Sequence, residues 1–176
     1  MATETTGSKE ILFGYTEAKM DLQTGRFQIP LELYDKLGER KLRMTVDPLG
    51  RFLELRTEAK FQDLAIRIQE SGDTLEPETI AALMTEYLAF STEVQIDNVL
   101  RLVVPKMMRD PLEGSTELAL VAVGDALRVW SLKKYKASEA ERREPLKRDY
   151  AKIVGLTLGL KPRAAVAPAP RLEPEG

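Results

Sequence analysis

The chain has neither cysteine nor histidine among its 176 residues. Without cysteine there is no disulfide, no thiolate zinc site and no cysteine nucleophile, which is typical of a reducing compartment. Without histidine the commonest general base and a frequent metal ligand are missing, so an enzyme becomes less expected. No apolar run approaches the ~20 residues that a membrane-spanning helix needs, and the opening MATETTGSKE lacks the apolar core of a signal peptide. These absences predict a cytoplasmic, non-enzymatic protein with no metal, no cofactor and no membrane partner.

The overall composition is that of an ordinary globular protein, with 43% apolar and 31% charged residues. The net charge of −2 conceals an asymmetry. Residues 1–132 hold 15 basic and 22 acidic side chains, whereas residues 133–152 hold 8 basic and 4 acidic ones. A basic segment on an acidic body can contact a polyanion, or it can be a solvated charged helix. The sequence leaves both interpretations open.

One phrase occurs twice in the chain. It reads KMDLQTGRFQIP over Lys19–Pro30 and QIDNVLRLVVP over Gln95–Pro105. Each copy has an aspartate, a polar or turn-like break, an arginine, and an apolar run that ends in proline. Arg26 and Arg101 occupy matching positions, 75 residues apart. Two copies of a unit that is too small to bury its own core are expected to pack together.

The residue patterns around each copy predict strand, turn, strand, short helix, strand, turn, strand and long helix, an α+β and mainly β fold. Apolar residues at helical spacing predict helices over 31–38, over 57–71 with Thr57 as N-cap, and over 77–91. A turn at Gly124 and Asp125 is predicted to join two strands of the second copy. The final long helix is predicted to be interrupted at Pro145.

These patterns predict six successive parts of the chain. The two ends are expected to be disordered, since the last stretch is rich in alanine and proline. The parts are a disordered N-terminus (1–9), a first repeat with its helix (10–72), a connecting helix (73–91), a second repeat with its helix (92–144), a C-terminal helical extension (145–161) and a disordered tail (162–176).

Residues 11–140 resemble the MraZ family, which carries tandem SpoVT/AbrB-type domains. The resemblance rests on the repeated phrase, on the two helices between the copies and on the closing LRVWSLKKY. It implies a tandem swapped-hairpin, double-split β-barrel with flanking helices, assembled into multimeric homo-oligomeric rings. It also implies a nucleoid-associated, sequence-specific regulator, usually a repressor. Such a regulator binds short direct repeats in double-stranded DNA at a bacterial division and cell-wall gene cluster.

The family motif Asp-x-x-x-Arg assigns candidate DNA-binding residues to this chain. By position, the resemblance places Arg26 at the DNA-contacting arginine of the first copy, Gly25 at its turn, and Arg101 at the equivalent place in the second. Arginine is the usual reader of guanine edges, and it also binds phosphate with two parallel hydrogen bonds. Thr24, which replaces the motif lysine, and Lys19 complete the predicted DNA-binding set.

The chain also departs from the family pattern, as a divergent member would. The first copy has one extra residue between Asp21 and Arg26, whereas Asp97 and Arg101 keep the family spacing. The motif lysine and glycine of the second copy are replaced by Val99 and Leu100, which removes a potential DNA contact. Each aspartate could instead form a structural ion pair with its arginine. Two other functions therefore stay open: a protein-interaction or assembly module that does not bind DNA, and an antitoxin-type regulator.

The helix patterns also predict assembly. The apolar stripes that include Phe61, Leu64 and Ile68, and Ile80, Leu83 and Tyr87, are predicted to be only partly covered by one small barrel. An incompletely covered stripe would favour an oligomer larger than a dimer.

Overall fold

The structure, a computed structural model, describes residues 11–160. The expectations for residues 1–9 and 162–176 lie outside this range. The strands are Leu12–Asp21 (β1), Arg26–Gln28 (β2), Lys41–Val46 (β3), Leu53–Thr57 (β4), Thr92–Gln95 (β5), Arg101–Val103 (β6), Glu117–Gly124 (β7) and Ala126–Ser131 (β8). The helices are Leu31–Leu37 (α1), Glu58–Gln69 (α2), Pro77–Ala82 (α3), Leu132–Ala137 (α4), Glu139–Arg148 (α5) and Tyr150–Thr157 (α6). A π-helical segment, Leu83–Leu88, continues α3, and two 3₁₀ turns follow β6 at Lys106–Met108 and Asp110–Leu112.

All eight strands form one antiparallel sheet in the order β5-β3-β4-β8-β7-β1-β2-β6. The two strands at the ends of this order, β5 and β6, follow each other in the chain. A tight turn connects them, and the backbone N–H of Asp97 donates to the carbonyl of Arg101 at 2.8 Å. The sheet is therefore a nearly closed barrel with helices on its outside, and the predicted α+β, mainly β class is confirmed.

The two copies of the repeat build this barrel jointly. Strand β1 of the first copy pairs with β7 of the second from Leu12 opposite Gly124 to Lys19 opposite Glu117. In return, β5 of the second copy pairs with β3 of the first, with Leu42 opposite Val94. Neither copy alone supplies a closed sheet, which is the physical reason for their packing together.

The barrel interior is a dense apolar core. It contains alternate residues of the strands, because successive side chains of a strand point to opposite faces. Burying one such large aliphatic or aromatic side chain stabilises the fold by about 1.5–3 kcal/mol relative to leaving it exposed. The most completely buried interior residues include Phe27, Ile29, Leu42, Met44, Leu53, Leu55, Ile96, Leu102, Leu118 and Leu120.

A second apolar cluster covers the outer face of β3 and β4. Phe61 and Ile68 of α2 are buried there with Tyr87 and Leu88 of the π-helical segment, and Leu83 packs against them. The two helical stripes therefore cover each other in part, and the expected incomplete coverage is confirmed by Leu64, Ile80 and Leu83, which stay half-buried. The helix predicted over 77–91 is present from Pro77 to Leu88, and its second half adopts the wider π turn.

A buried polar network lies between this helical layer and β4. Glu54 accepts hydrogen bonds from Arg56 (2.7 Å), from Arg128 of β8 (3.0 Å) and from the Tyr87 hydroxyl. Asp125 extends the network by pairing with Arg56 (3.3 Å) and Arg67 (2.7 Å). Burial raises the pKa of Glu54, but the Arg56 charge and the Tyr87 hydrogen bond outweigh it, so this pKa lies below its ordinary value. Every strong acceptor here has a charged donor, so the network is satisfied despite its burial.

Capping residues determine where several of the helices begin or end. The hydroxyl of Thr57 accepts a hydrogen bond from the backbone N–H of Lys60 at 3.4 Å, which confirms the predicted N-cap. Gly38 ends α1 in the left-handed region (φ 72°). The predicted interruption at Pro145 is wrong, because that proline lies inside α5 and the chain breaks at Ser138 and Asp149 instead.

The chain divides into two compact units between Ala137 and Ser138. The second unit, over the described residues 138–160, consists of α5 and α6. Arg143 pairs with Glu139 one turn earlier (2.6 Å), and Lys152 pairs with Asp149 (2.8 Å). Neither α5 nor α6 has a fully buried residue, so the charged side chains of both helices are solvated.

Candidate nucleic-acid interface

The two halves of the repeated phrase meet on adjacent strands. Strand β2 pairs antiparallel with β6, so that Arg26 lies opposite Val103 and Gln28 lies opposite Arg101. Between these pairs, Phe27 and Leu102 point into the barrel. Because directly opposite residues share one face of a sheet, the other four side chains all point outward. We call this pair of strands the β2–β6 ribbon, and its outward positions are Arg26, Gln28, Arg101 and Val103.

The turn before Arg26 is organised by the Asp21 carboxylate. Asp21 accepts a hydrogen bond from the backbone N–H of Thr24 at 2.8 Å, and its carbonyl accepts one from Gly25 at 2.7 Å. The hydrogen bonds from the backbone and side chain of Thr24 hold the pKa of Asp21 below its ordinary value. Gly25 adopts φ 71°, a left-handed conformation that favours glycine. Asp21 thus stabilises the turn and forms no ion pair with Arg26.

Arg26 and Lys19 are exposed on this side of the barrel. Within residues 11–160, neither side chain forms a hydrogen bond or an ion pair. Both line an open groove of about 450 Å³. The groove is lined by Lys19, Met20, Asp21, Thr24, Arg26, Phe27, Gln28 and Arg101. An anionic ligand in this groove would meet two cations that need not leave a protein partner first.

The corresponding turn of the second copy holds its arginine. One Asp97 oxygen accepts hydrogen bonds from the backbone N–H groups of Val99 (3.0 Å) and Arg101 (2.8 Å), and the other accepts from the Arg101 guanidinium (3.0 Å). The Arg101 backbone N–H is the main cause that lowers the pKa of Asp97. Leu100 takes the position of the missing glycine and adopts φ 61°, an unfavourable conformation for leucine. The ion-pair interpretation therefore holds for Asp97 and Arg101, whereas Asp21 and Arg26 do not pair.

Arg109 fixes the first turn from the other half of the chain. Its guanidinium donates to three backbone carbonyls, those of Thr24 (2.8 Å), Val104 (2.9 Å) and Leu22 (3.2 Å). Gly25 lies directly beneath this guanidinium, and its carbonyl accepts a hydrogen bond from Val104 at 2.9 Å. The sequence alone does not distinguish Arg109 from an ordinary surface charge. No local pattern signals a contact across more than 80 residues.

The structure brings most of the predicted residues to one place. Lys19, Asp21, Thr24, Arg26 and Arg101 line the groove, Gly25 is buried beneath the turn, and Asp97 lies in the neighbouring turn. Sequence reasoning missed Gln28 as well as Arg109. The alternation of side chains along a strand could have found Gln28, since it lies two residues beyond Arg26.

Two further observations concern the kind of site. Among the described residues, no three acidic side chains are grouped closely enough to hold a metal ion. In the same range, every helix is too short or too polar to cross a membrane.

Comparison with known proteins adds one match to this description of the barrel and its arginine-bearing ribbon. The family model described as "MraZ protein, putative antitoxin-like" matches residues 88–155. The match begins at the end of the π-helical segment and extends from β5 into α6. The matched part is 68 of the 176 residues, and over this part the chain is similar to the MraZ family. No curated protein matches the chain.

Proposed function

We propose that this protein is a sequence-specific transcriptional regulator that binds double-stranded DNA through the β2–β6 ribbon. The observation that carries the proposal is the pair of exposed, unengaged cations, Arg26 and Lys19, beside an outward-facing two-stranded ribbon. The major groove of B-DNA is wide enough to admit such a ribbon. Outward side chains of the ribbon would then face base edges.

The two arginines have different roles in this proposal. Arg26 has no side-chain hydrogen bond or ion pair to the described residues 11–160, so its guanidinium can form two hydrogen bonds to a guanine. Arg101 is held by Asp97, and its remaining N–H groups can contact a phosphate but are less able to reach into the groove. Lys19, at the side of the groove, neutralises a phosphate. Gly25 and Thr24 form the turn that presents Arg26.

Assembly supplies the affinity that one ribbon lacks. Sequence-independent binding scales with the number of phosphates that are neutralised, and one chain offers few cations for this. A homo-oligomeric ring multiplies such weak contacts along short direct repeats, because each further contact becomes intramolecular. Phe13, Tyr15 and Val123 are exposed neighbours on β1 and β7, which supports a subunit contact on this face.

The family match and the fold support the regulatory setting that the resemblance implies. The pairing of β1 with β7 and of β3 with β5 supports the tandem swapped-hairpin, double-split barrel that the resemblance implies. On this basis the protein represses a bacterial division and cell-wall gene cluster, at which it is nucleoid-associated. Cytoplasmic residence accords with the lack of cysteine.

The test is a titration of duplexes that carry short direct repeats, at two salt concentrations, with wild type, Arg26→Ala and Arg26→Lys. Arg26→Ala should lose about 1–3 kcal/mol of binding free energy per site. Arg26→Lys keeps the charge and should keep non-specific binding while losing preference for the repeats. Arg101→Ala is the matched control and should lose less. If Arg26→Ala binds like wild type at unchanged oligomer mass, the proposal is wrong.

A second candidate is a protein-interaction module, either an assembly scaffold or an antitoxin-type regulator. It is favoured by the second turn, where Val99 and Val103 are exposed and the motif lysine is absent. The words "antitoxin-like" in the family description point the same way. Wild-type protein that binds no DNA at low salt while forming a stable oligomer would favour this candidate over the first.

A further inference from the structure

The β2–β6 ribbon has unequal strands. Its two arginines occupy matching positions of the two copies, but Gln28 and Val103 also match, at the same offset of 75 residues, and they differ in chemistry. Gln28 carries an amide that can donate and accept hydrogen bonds. Val103 offers only methyl groups. The outward face of β2 therefore has two hydrogen-bonding side chains, and that of β6 has one.

The environment of Gln28 fixes the orientation of its amide. Its side-chain nitrogen lies 3.4 Å from the carbonyl of Val99, across the ribbon in the second turn. Because a carbonyl can only accept, the nitrogen end of the amide must face Val99. The amide oxygen and the second N–H are left for a ligand in the groove that Gln28 lines with Arg26.

We propose that Gln28 is a specificity-determining residue that reads an adenine, an inference that rests on the proposed DNA binding. Glutamine pairs with adenine through two hydrogen bonds, accepting from N6 and donating to N7 in the major groove. The free amide oxygen of Gln28 can accept from N6, and its free N–H can donate to N7. Val103, at the matching place, can contact only a thymine methyl group.

The spacing on the strand defines the sequence that is read. Alternate residues of a strand are about 6.6 Å apart, and two base steps along DNA span about 6.8 Å. Arg26 and Gln28 therefore read bases two steps apart on a strand that follows the groove. The preferred site contains a guanine at the Arg26 position and an adenine two steps from it.

The experiment selects binding sites from a pool of random duplexes, using the full-length protein as wild type, Gln28→Val and Gln28→Glu. Gln28→Val installs the residue of the matching position. It should lose the adenine preference at one position, by about 5- to 160-fold, and keep the guanine preference. Gln28→Glu can only accept, so it should switch that position from adenine to cytosine, whose N4 donates. Thermal unfolding and oligomer mass should match wild type, since the residue is exposed.

The outcomes separate this inference from the proposed function. If wild type selects a site and Gln28→Val selects the same site with the same preference at every position, Gln28 is not a reader and only this inference fails. If wild type selects no sequence, the proposed function fails and the inference fails with it. The expected result is that Gln28→Val loses only the adenine preference and Arg26→Lys loses only the guanine preference, at positions two steps apart. This result supports both the proposed function and the inference.

Discussion

The guanidinium group of Arg109 occupies the space in which a β-carbon of Gly25 would lie. Arg109 comes from the 3₁₀ region after β6, and Gly25 from the turn between β1 and β2. The contact therefore ties the turn that presents Arg26 to the other copy of the repeat. Glycine is required here for two reasons, its φ of 71° and the closeness of Arg109.

Gly25→Ala should destabilise the protein more than Gly38→Ala does. Both glycines have nearly the same φ, 71° and 72°, but nothing lies within 4 Å of a β-carbon at Gly38. Gly38→Ala thus measures the backbone cost alone, about 1 kcal/mol. Gly25→Ala must also displace Arg109 from its three carbonyls, which adds about 2 kcal/mol. Urea unfolding at one fixed protein concentration would measure both. Equal losses would mean that Arg109 moves aside freely.

Asp97→Asn should release Arg101 towards DNA. Asparagine keeps an oxygen for the backbone N–H groups of Val99 and Arg101, so the turn survives, but the ion pair is lost. We expect tighter DNA binding, with a dependence on salt that is steeper by about one phosphate contact.

Removing a negative charge would by itself also favour DNA binding, so the control is Asp97→Asn combined with Arg101→Ala. If the gain depends on the released arginine, it should disappear in the double variant. A gain of equal size in both backgrounds would show that only the charge of Asp97 mattered.

The stability of the fold should fall in acid through Glu54 and Asp125. Burial raises both pKa values, but other groups lower them by more, so both lie below their ordinary values. The groups are Arg56 and Tyr87 for Glu54, and Arg67 and Arg56 for Asp125. The folded state then binds fewer protons than the unfolded state, and the stabilisation is complete above about pH 4.5 and is lost as pH falls through the lowered pKa values. Since the chain has no histidine, stability should be nearly constant from about pH 5 to 8.

Glu54→Gln tests this assignment. It leaves the buried Arg56 without its carboxylate and should cost about 3 kcal/mol at pH 7. Because protonation removes the same charge from wild type, the two unfolding free energies should converge as the pH falls through the lowered pKa of Glu54. A constant difference across this range would mean that Glu54 does not carry the acid sensitivity.

Phe13→Glu should reduce the size of the oligomer. Phe13 is 69% exposed on β1, opposite the exposed Val123 of β7, so a charge there is tolerated by the monomer but costs free energy in an apolar contact. Leu49→Glu is the matched control, since Leu49 is 78% exposed in the turn after β3. Light scattering at micromolar concentrations would report the masses. Equal masses for both variants would exclude Phe13 from the subunit contact.

Local features of the fold were predictable from the sequence. Thr57 and Gly38 mark helix ends because capping depends on a few neighbouring residues. The turn at Gly124 and Asp125 was predicted for the same reason, and it joins β7 to β8. The repeated phrase also predicted that Arg26 and Arg101 have equivalent places, and they lie on paired strands.

The rest depends on contacts between residues that are distant in the chain. Alternation places Glu54 and Arg56 on the outward face of β4, where a sequence pattern predicts solvent, but Tyr87 of a later segment buries them. The contact of Arg109 with the first turn is equally non-local. The unpaired state of Arg26 could not be predicted either, because Asp21 is close enough in sequence to pair with it and instead binds the backbone of Thr24.

Covalent fusion of the two copies gives the β2–β6 ribbon a polarity. In a ribbon made by two identical chains, β2 and β6 would be interchangeable, and reversing the DNA beneath them would change nothing. Here Gln28 and Val103 distinguish one strand from the other, and so do an unpaired Arg26 and a tethered Arg101. The two strands of this ribbon are therefore not equivalent, and the ribbon has a direction. If the protein binds DNA as proposed, this polarity should favour repeats that all point the same way over a palindrome, in which every second half-site is reversed.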